Sequence, residues 1–162
     1  MDEDLLRWSL NKTLPYLEIE RISIETDHGS LIFYQGSWHD LLNIKIFVGD
    51  GRITLPLAHS LDLIKSLDAI FQDAFSPKKN PALWSTEWFQ FLKEISGQKV
   101  QLSTYSSAIT IRKSLLSAGW SIENARGFAL KRFMTKANLM GTTSTELLLQ
   151  LSRSPSLEIK DK

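Results

Sequence analysis

Two acidic residues each follow an apolar segment at a point where the chain has to turn. Asp50 lies between two glycines after NIKIFV, and Asp73 follows LDAIFQ in the loop QDAFSPKKNPALW, residues 72–84. If both segments are strands of an open α/β sheet, these carboxylates lie at strand ends, where such sheets bind ligands. A carboxylate there can accept hydrogen bonds from an amine and stabilise positive charge that develops on nitrogen. A cap or turn role is the ordinary alternative for each acid.

Strands and helices alternate along most of the chain. Residues 2–14 predict a short amphipathic helix, and residues 19–25 and 30–35 predict a hairpin that turns at Asp27, His28 and Gly29. Further strands are predicted within 43–48, 67–75 and 98–106 and on either side of Gly127, with helices within 53–67, 85–96 and 108–120. This alternation predicts an α/β fold with βαβ units and a mostly parallel sheet.

Composition excludes several kinds of site. The 162 residues suffice for one domain, and the formal net charge is +1, so any polyanion site has to be a local basic patch. Disulfides, thiolate metal ligands and cysteine nucleophiles are excluded because the chain has no cysteine. His28, His39 and His59 lack the spacing of metal ligands, so we expect no metal.

The two ends of the chain carry further expectations. The start, MDEDLLRWSL, is acidic where a signal peptide is basic, and no apolar run has the length of a membrane span. We therefore expect a cytoplasmic protein that does not enter a membrane. The pattern further predicts a domain over residues 1–140, then a short helix and a flexible tail over residues 141–162.

Three segments resemble one family in order and spacing. They are VGDGRITLP at 48–56, LDAIFQDAFSPKKNPALW at 67–84 and LSTYSSAITIRKSLLSAGWSIENARGFALKRFM at 102–134. The family's loop has the form LDGFAPxKNPxMW, and its later segment has the form TYxxAxxVRRxLxxAGFxVxxxxGFGxKREM. The match is dense over residues 43–136. The chain thus resembles the MnmC-like methyltransferase domain that completes 5-methylaminomethyl-2-thiouridine at the wobble position of tRNA.

The resemblance implies a fold, a donor and an acceptor. The fold is α/β, a Rossmann-like class I methyltransferase; the methyl donor is S-adenosylmethionine, and the acceptor is an aminomethyl-uridine in tRNA. It implies that Asp73 lies beside the reacting amine as the catalytic residue, and that Gly49 and Asp50 lie toward the adenine of the donor. The residues implied to contact the substrate are Phe75, Lys79, Asn80, Pro81, Trp84, Tyr105, Arg112, Lys131 and Arg132. Phe75, Trp84 and Tyr105 are alternatives for stacking on the extruded base. Arg112, Lys131 and Arg132 are implied to be basic positions on the tRNA side.

The chain departs from the resembled family in the half that binds the donor. Class I methyltransferases open with a strand, a glycine-rich turn and a helix whose N-terminus faces the donor. None of the eight glycines here forms such a turn before residue 43. We therefore expect the C-terminal two thirds of the domain, with the first β-α-β unit supplied by an upstream segment or a protein partner. Two alternatives stay open: an inactive half-domain or pseudoenzyme that binds protein or tRNA, and an amino-methyltransferase with another substrate.

Smaller departures concern the motifs themselves and an additional domain. Ala74 replaces the glycine of LDGF, and GFALKRFM replaces GFGxKREM, with Ala129 and Phe133 at the positions of a glycine and an acid. Some family members are fused to a flavin-dependent oxidase domain. The segment after Lys136 is too short for that domain, so we expect no flavin.

Overall fold

The computed structural model of the chain describes residues 3–27, 29–127 and 133–161. The contacts within the chain divide it into two compact units, residues 1–64 and residues 65–162. The predicted domain of residues 1–140 stays a prediction. In the part of the chain that the structure describes, no helix combines the length and the apolar character that a membrane crossing requires.

The first unit is a three-stranded antiparallel sheet with a helix packed on each face. Its strands, in spatial order, are β1 Glu20–Thr26, β2 Gly29–Trp38 and β3 Leu42–Val48, and its helices are α1 Glu3–Thr13 and α2 Gly51–Ser60. Side chains alternate between the faces of β2, because successive residues of a strand point in opposite directions. Leu31 and Phe33 pack with Ala58 of α2, whereas Tyr34 packs with residues of α1.

The second unit is a four-stranded sheet with helices α3, α4 and α5. Its strands are β4 Leu67–Phe71, β5 Ser96–Thr104, β6 Ser121–Arg126 and β7 Phe133–Asn138; the helices are Thr86–Glu94, Ile109–Ser117 and Thr145–Ser152, and Pro81–Trp84 forms a 3-10 helix. The Ser85 hydroxyl caps α3 by accepting from the Trp88 amide at 3.1 Å, as the sequence predicts. Gly119, with φ 86°, follows the end of α4.

The prediction of a mostly parallel sheet is wrong. In the second unit the strand order is β4-β5-β7-β6, and β7 runs antiparallel to both of its neighbours, so β4 and β5 form the parallel pair. The three strands of the first unit are antiparallel throughout. The physical reason is connection length: β1, β2 and β3 follow one another through short turns, which reverse the chain direction, whereas α3 carries the crossover from β4 to β5.

Residues 153–161, for which the sequence predicts a flexible tail, make hydrogen bonds with α3 and α4. Lys113 Nζ donates to the carbonyls of Ser154 and Ser156 at 2.9 and 2.7 Å. The Ile159 amide donates to the Ser114 hydroxyl at 2.8 Å, and the Ile159 carbonyl accepts from the Thr86 amide at 2.8 Å. These bonds hold the extended segment against α3 and α4. Sequence polarity suggested a solvated tail, but the backbone groups of the segment, rather than its side chains, make these contacts.

Candidate active site

Asp73 lies at the end of β4, where it lines a pocket of about 340 Å³. The other lining residues are Ala74, Phe75, Ser76 and Tyr105. The volume is within the range of about 300–1,000 Å³ that is typical of small-molecule sites. The Asp73 side chain is exposed, so its carboxylate is accessible to an incoming ligand. The structure therefore confirms that Asp73 follows a strand end and shows a cavity beside it.

The loop that follows Asp73 is closed by two side-chain hydrogen bonds to backbone carbonyls. Gln72 Nε2 donates to the Leu83 carbonyl at 2.7 Å, and the Trp84 indole N–H donates to the Phe75 carbonyl at 2.7 Å. Gln72 is buried, and its backbone N–H continues the pairing of the sheet by donating to the Ser103 carbonyl at 2.9 Å. The two bonds fix the start of the loop against its end, and they thereby fix the backbone that carries Asp73.

The three aromatic candidates have different exposures. Phe75 is 77% exposed and Tyr105 is 39% exposed, whereas Trp84 is completely buried. The Trp84 ring meets the Tyr105 ring edge to face, with centroids 6.3 Å apart. The Tyr105 hydroxyl donates to the Ala74 carbonyl at 3.4 Å. Phe75 and Tyr105 are therefore accessible to a ligand at this pocket. Buried Trp84 contacts the Tyr105 ring and donates to the Phe75 carbonyl.

The middle of the loop is a turn built on Ser76. Its carbonyl accepts from the amides of Lys79 and Asn80 at 2.8 and 3.0 Å. Pro81 opens the 3-10 helix, a position that suits proline because no amide hydrogen is needed there. The Lys79 side chain is exposed, and that of Asn80 is half-buried. Of this trio, Lys79 is the charged group that solvent and a ligand can reach.

Alanine at position 74 fits the local backbone. The described non-glycine residues with positive φ are Tyr16, His39, Asp40 and Asp62, and Ala74 is not among them. An L-amino acid therefore takes this conformation without the strain that a left-handed backbone imposes. The replacement of the family's glycine does not distort the strand end at Asp73.

Asp50 and Gly49 belong to the first unit, whereas Asp73 and its pocket belong to the second. Asp50 caps α2, because its Oδ1 accepts from the Arg52 amide at 2.9 Å. Gly49 has φ 137°, and an added Cβ would lie 2.9 Å from Thr54 Cγ2, so the turn requires glycine. The structure thus confirms that Asp50 is a helix cap, which the sequence offered as the alternative to a ligand-binding role.

The basic candidates fall into two groups. Arg112 is 5% exposed, and burial lowers the pKa of its guanidinium from the ordinary value. Its Nε donates to Thr135 Oγ1 at 3.0 Å, and its Nη2 donates to Asn124 Oδ1 at 2.7 Å. Arg112 thus points into the second unit instead of presenting its charge to solvent. Lys131 and Arg132 lie outside the described residues.

Two residues of this region were missed by sequence interpretation. Gln72 closes the loop, and Thr135 joins Arg112 to the segment that carries Tyr105. The signal for Gln72 was present, because an amide at the end of an apolar strand requires a hydrogen-bond partner. Among the described residues, no cluster of three or more histidine or acidic side chains has an arrangement that could hold a metal ion.

Comparison with known proteins decides the family. The family model described as S-adenosyl-L-methionine-dependent methyltransferase matches residues 33–140, which is more than half of the chain. The chain belongs to this methyltransferase family. The resemblance carried by the strand-end acids and the loop of residues 72–84 is therefore confirmed at the level of the family, as is the α/β, Rossmann-like fold class.

Several relatives of this chain carry a more specific description. The tRNA 5-methylaminomethyl-2-thiouridine biosynthesis bifunctional protein MnmC of Marinomonas sp. (strain MWYL1) is 33% identical over 110 residues, which are 65% of this chain and 16% of the relative. The protein of that description from Azoarcus sp. (strain BH72) is 36% identical over 98 residues, which are 60% of this chain and 15% of the relative. The chain thus spans about a sixth of the length of these curated relatives.

A solved structure of the family has a similar fold. The crystal structure of MNMC2 from Aquifex aeolicus superposes with a TM-score of 0.61 and 33% sequence identity. The superposition covers 75% of this chain and 40% of the Aquifex chain. The methyltransferase fold described above therefore corresponds to less than half of that structure.

The described residues fit one end of S-adenosylmethionine, the donor that defines the family. Asp50 is exposed at the start of α2, and one carboxylate oxygen caps the helix, so the second oxygen offers an acceptor for the amino group of an adenine. Gly49 keeps the backbone beside it free of a side chain. The sequence offers no glycine-rich turn that would hold the other end of the donor.

Proposed function

We propose that this chain carries the acceptor side of a methyltransferase that acts on an aminomethyl-uridine at the wobble position of tRNA. The observation that carries the proposal is Asp73, an exposed carboxylate at the end of β4 beside a pocket with two accessible aromatic rings. The names of the MnmC relatives support the choice of substrate. The family match favours this function over that of an inactive binding remnant.

Asp73 holds the reacting amine. Transfer forms a C–N bond as the C–S bond of the donor breaks, so the amine needs a free lone pair in line with the methyl group. When bound, S-adenosylmethionine supplies the electrophilic methyl group. The carboxylate accepts hydrogen bonds from the amine and stabilises the positive charge that nitrogen gains before it releases a proton. This chemistry involves no change of oxidation state that would require a flavin or a metal.

Phe75 and Tyr105 receive the target base. A base that undergoes chemistry has to leave its stack, and its face then packs on an aromatic side chain. Both rings line the pocket next to Asp73, and Phe75 is the more exposed of the two. Trp84, which is buried, contributes by holding the Phe75 carbonyl and the edge of Tyr105.

Lys79, together with the basic positions Lys131 and Arg132 that the family resemblance implies, supplies the positive charge for contacts with the tRNA backbone. The net charge of +1 gives the whole chain no long-range attraction to RNA, so phosphate contacts have to come from a local basic patch. Exposure of Lys79 in the loop next to the pocket supports this role. Action on tRNA supports the cytoplasmic location that the sequence predicts.

The donor-binding half comes from an upstream segment or a partner chain, which pairs along β4. β4 is an edge strand of its sheet, and Phe71 at its end is 85% exposed. Edge strands with exposed apolar residues favour addition of a further strand. The coverage of 40% of the Aquifex chain supports the existence of such a half in relatives.

The test is methyl transfer from labelled S-adenosylmethionine to tRNA that carries the aminomethyl-uridine, using the chain together with its donor-binding half. We expect Asp73→Ala to reduce turnover by about 100-fold or more, as loss of a group that stabilises transition-state charge does, while donor affinity stays within about twofold. Asp68→Ala is the matched control, because Asp68 is an exposed acid on the same strand. Equal turnover of the two variants would remove Asp73 from the mechanism.

A further inference from the structure

A chain of hydrogen bonds leads from buried Arg112 to the segment that carries Tyr105. Arg112 Nε donates to Thr135 Oγ1 at 3.0 Å, and the Thr135 hydroxyl donates to the Ser106 carbonyl at 2.7 Å. Since the Thr135 oxygen accepts from Arg112, its single hydrogen is directed to Ser106. Thr135 is completely buried, so water does not compete for these bonds. The carbonyl next to Tyr105 is thereby held in place.

The segment around Tyr105 is fixed from the other side as well. The Ser106 amide donates to Thr104 Oγ1 at 3.2 Å, and the Ala108 amide donates to Ser106 Oγ at 3.3 Å. Thr104 is 2% exposed. The backbone on each side of Tyr105 is therefore held by hydrogen bonds. The Tyr105 ring lines the pocket at Asp73, and its hydroxyl donates to the Ala74 carbonyl.

Arg112 joins two strands at one level of the sheet. Thr135 of β7 pairs with Thr104 of β5 on one side and with Asn124 of β6 on the other. Arg112 contacts Thr135 and Asn124 from α4. Both of these acceptors are neutral, and Arg112 as a whole residue is 5% exposed. Burial of a charge against neutral acceptors costs free energy, which an apolar side chain at this position would avoid.

We propose that Arg112 is a positioning residue, which acts through Thr135 and the Ser106 carbonyl to set the orientation of Tyr105 at the Asp73 pocket. This replaces the contact with tRNA that the family resemblance implied for Arg112. The importance of Tyr105 for the base rests on the proposed function, but the hydrogen-bond chain and its effect on Tyr105 do not.

The test is fluorine NMR of the chain alone after incorporation of 3-fluorotyrosine. The three tyrosines give three signals, and Tyr105→Phe identifies that of Tyr105. We expect Thr135→Val, which keeps the shape but removes the hydroxyl, to shift the Tyr105 signal by more than its line width. Thr135→Ser keeps the hydroxyl and should restore the signal. The Tyr34 signal, from the first unit, serves as the internal reference.

Asn124→Ala separates the proposed role from general stabilisation. Asn124 is exposed, and its loss removes one acceptor of Arg112 while leaving the bond to Thr135. We expect no shift of the Tyr105 signal in this variant. A Tyr105 signal that stays in place in a folded Thr135→Val variant, or that shifts equally in Asn124→Ala, would overturn the proposal. Arg112→Lys tests Arg112 itself, because lysine cannot reproduce the two directed bonds. It should shift the Tyr105 signal as Thr135→Val does, and an unchanged signal in a folded Arg112→Lys variant would also overturn the proposal.

The measurement uses neither tRNA nor the methyl donor. A shift in Thr135→Val therefore supports the positioning role even if the proposed methyl transfer fails, and an unchanged signal contradicts the role even if methyl transfer is found. Turnover measured on the chain together with its donor-binding half then connects the positioning role with methyl transfer. Thr135→Val should lower kcat more than donor affinity, because it misplaces a ring that receives the base.

Discussion

At the scale of single residues, the site depends on side chains that hold carbonyl groups. Gln72 and Trp84 donate to the carbonyls of Leu83 and Phe75 across the loop, and Thr135 donates to that of Ser106. These hydrogen bonds are partly buried, and a carbonyl that loses its donor there keeps part of the cost of desolvation. Asp73 therefore lines its pocket on a loop whose backbone is held by these side chains.

Trp84→Phe tests this support directly. The substitution removes the indole N–H that donates to the Phe75 carbonyl and reduces the volume of a fully buried side chain. We expect the free energy of unfolding to fall by about 1–3 kcal/mol in urea titrations followed by circular dichroism. Trp8→Phe is the control, because Trp8 is 61% exposed, and it should change stability by less than about 0.5 kcal/mol. Equal stabilities of the two variants would show that the loop does not need Trp84.

At the scale of elements, sequence predicted the local features and missed the pairing. Helix starts at caps such as Ser85, the stop at Gly119 and the two strand-end acids follow from side-chain chemistry over a few residues, and the structure confirms them. The position of β7 between β5 and β6 depends on contacts between distant segments, which periodicity does not encode. The burial of Arg112 was missed for the same reason, since its partners lie on β6 and β7.

The exposed edge of β4 leads to a prediction about association. Phe71 is 85% exposed at the end of an edge strand, so we expect the isolated chain to associate as its concentration rises. Phe71→Lys should reduce this association in sedimentation velocity runs over a concentration series. Leu149→Lys, at a 52% exposed position on α5, is the matched control and should leave association unchanged. Association that both variants lower equally would place the contact elsewhere.

At the scale of the whole molecule, the chain combines membership of a methyltransferase family with a pocket at Asp73 to which we assign the acceptor side of the reaction. The family match covers residues 33–140, and the curated relatives are about six times longer than the matched part. The second unit nevertheless contains the pocket, the Asp73 carboxylate and the accessible rings of Phe75 and Tyr105. Recognition of the modified base should therefore be measurable on this chain as it is.

The most direct test compares two RNA stem-loops in fluorescence anisotropy titrations with the 162-residue chain. One carries 5-aminomethyl-2-thiouridine at the wobble position, and the other carries unmodified uridine. We expect the aminomethyl RNA to bind at least about tenfold more tightly, a difference of about 1.4 kcal/mol, because Asp73 accepts from the amine. Asp73→Ala should remove this difference, and Asp68→Ala should keep it. Equal affinities of the unaltered chain for both RNAs would contradict the assignment of the Asp73 pocket to the target base.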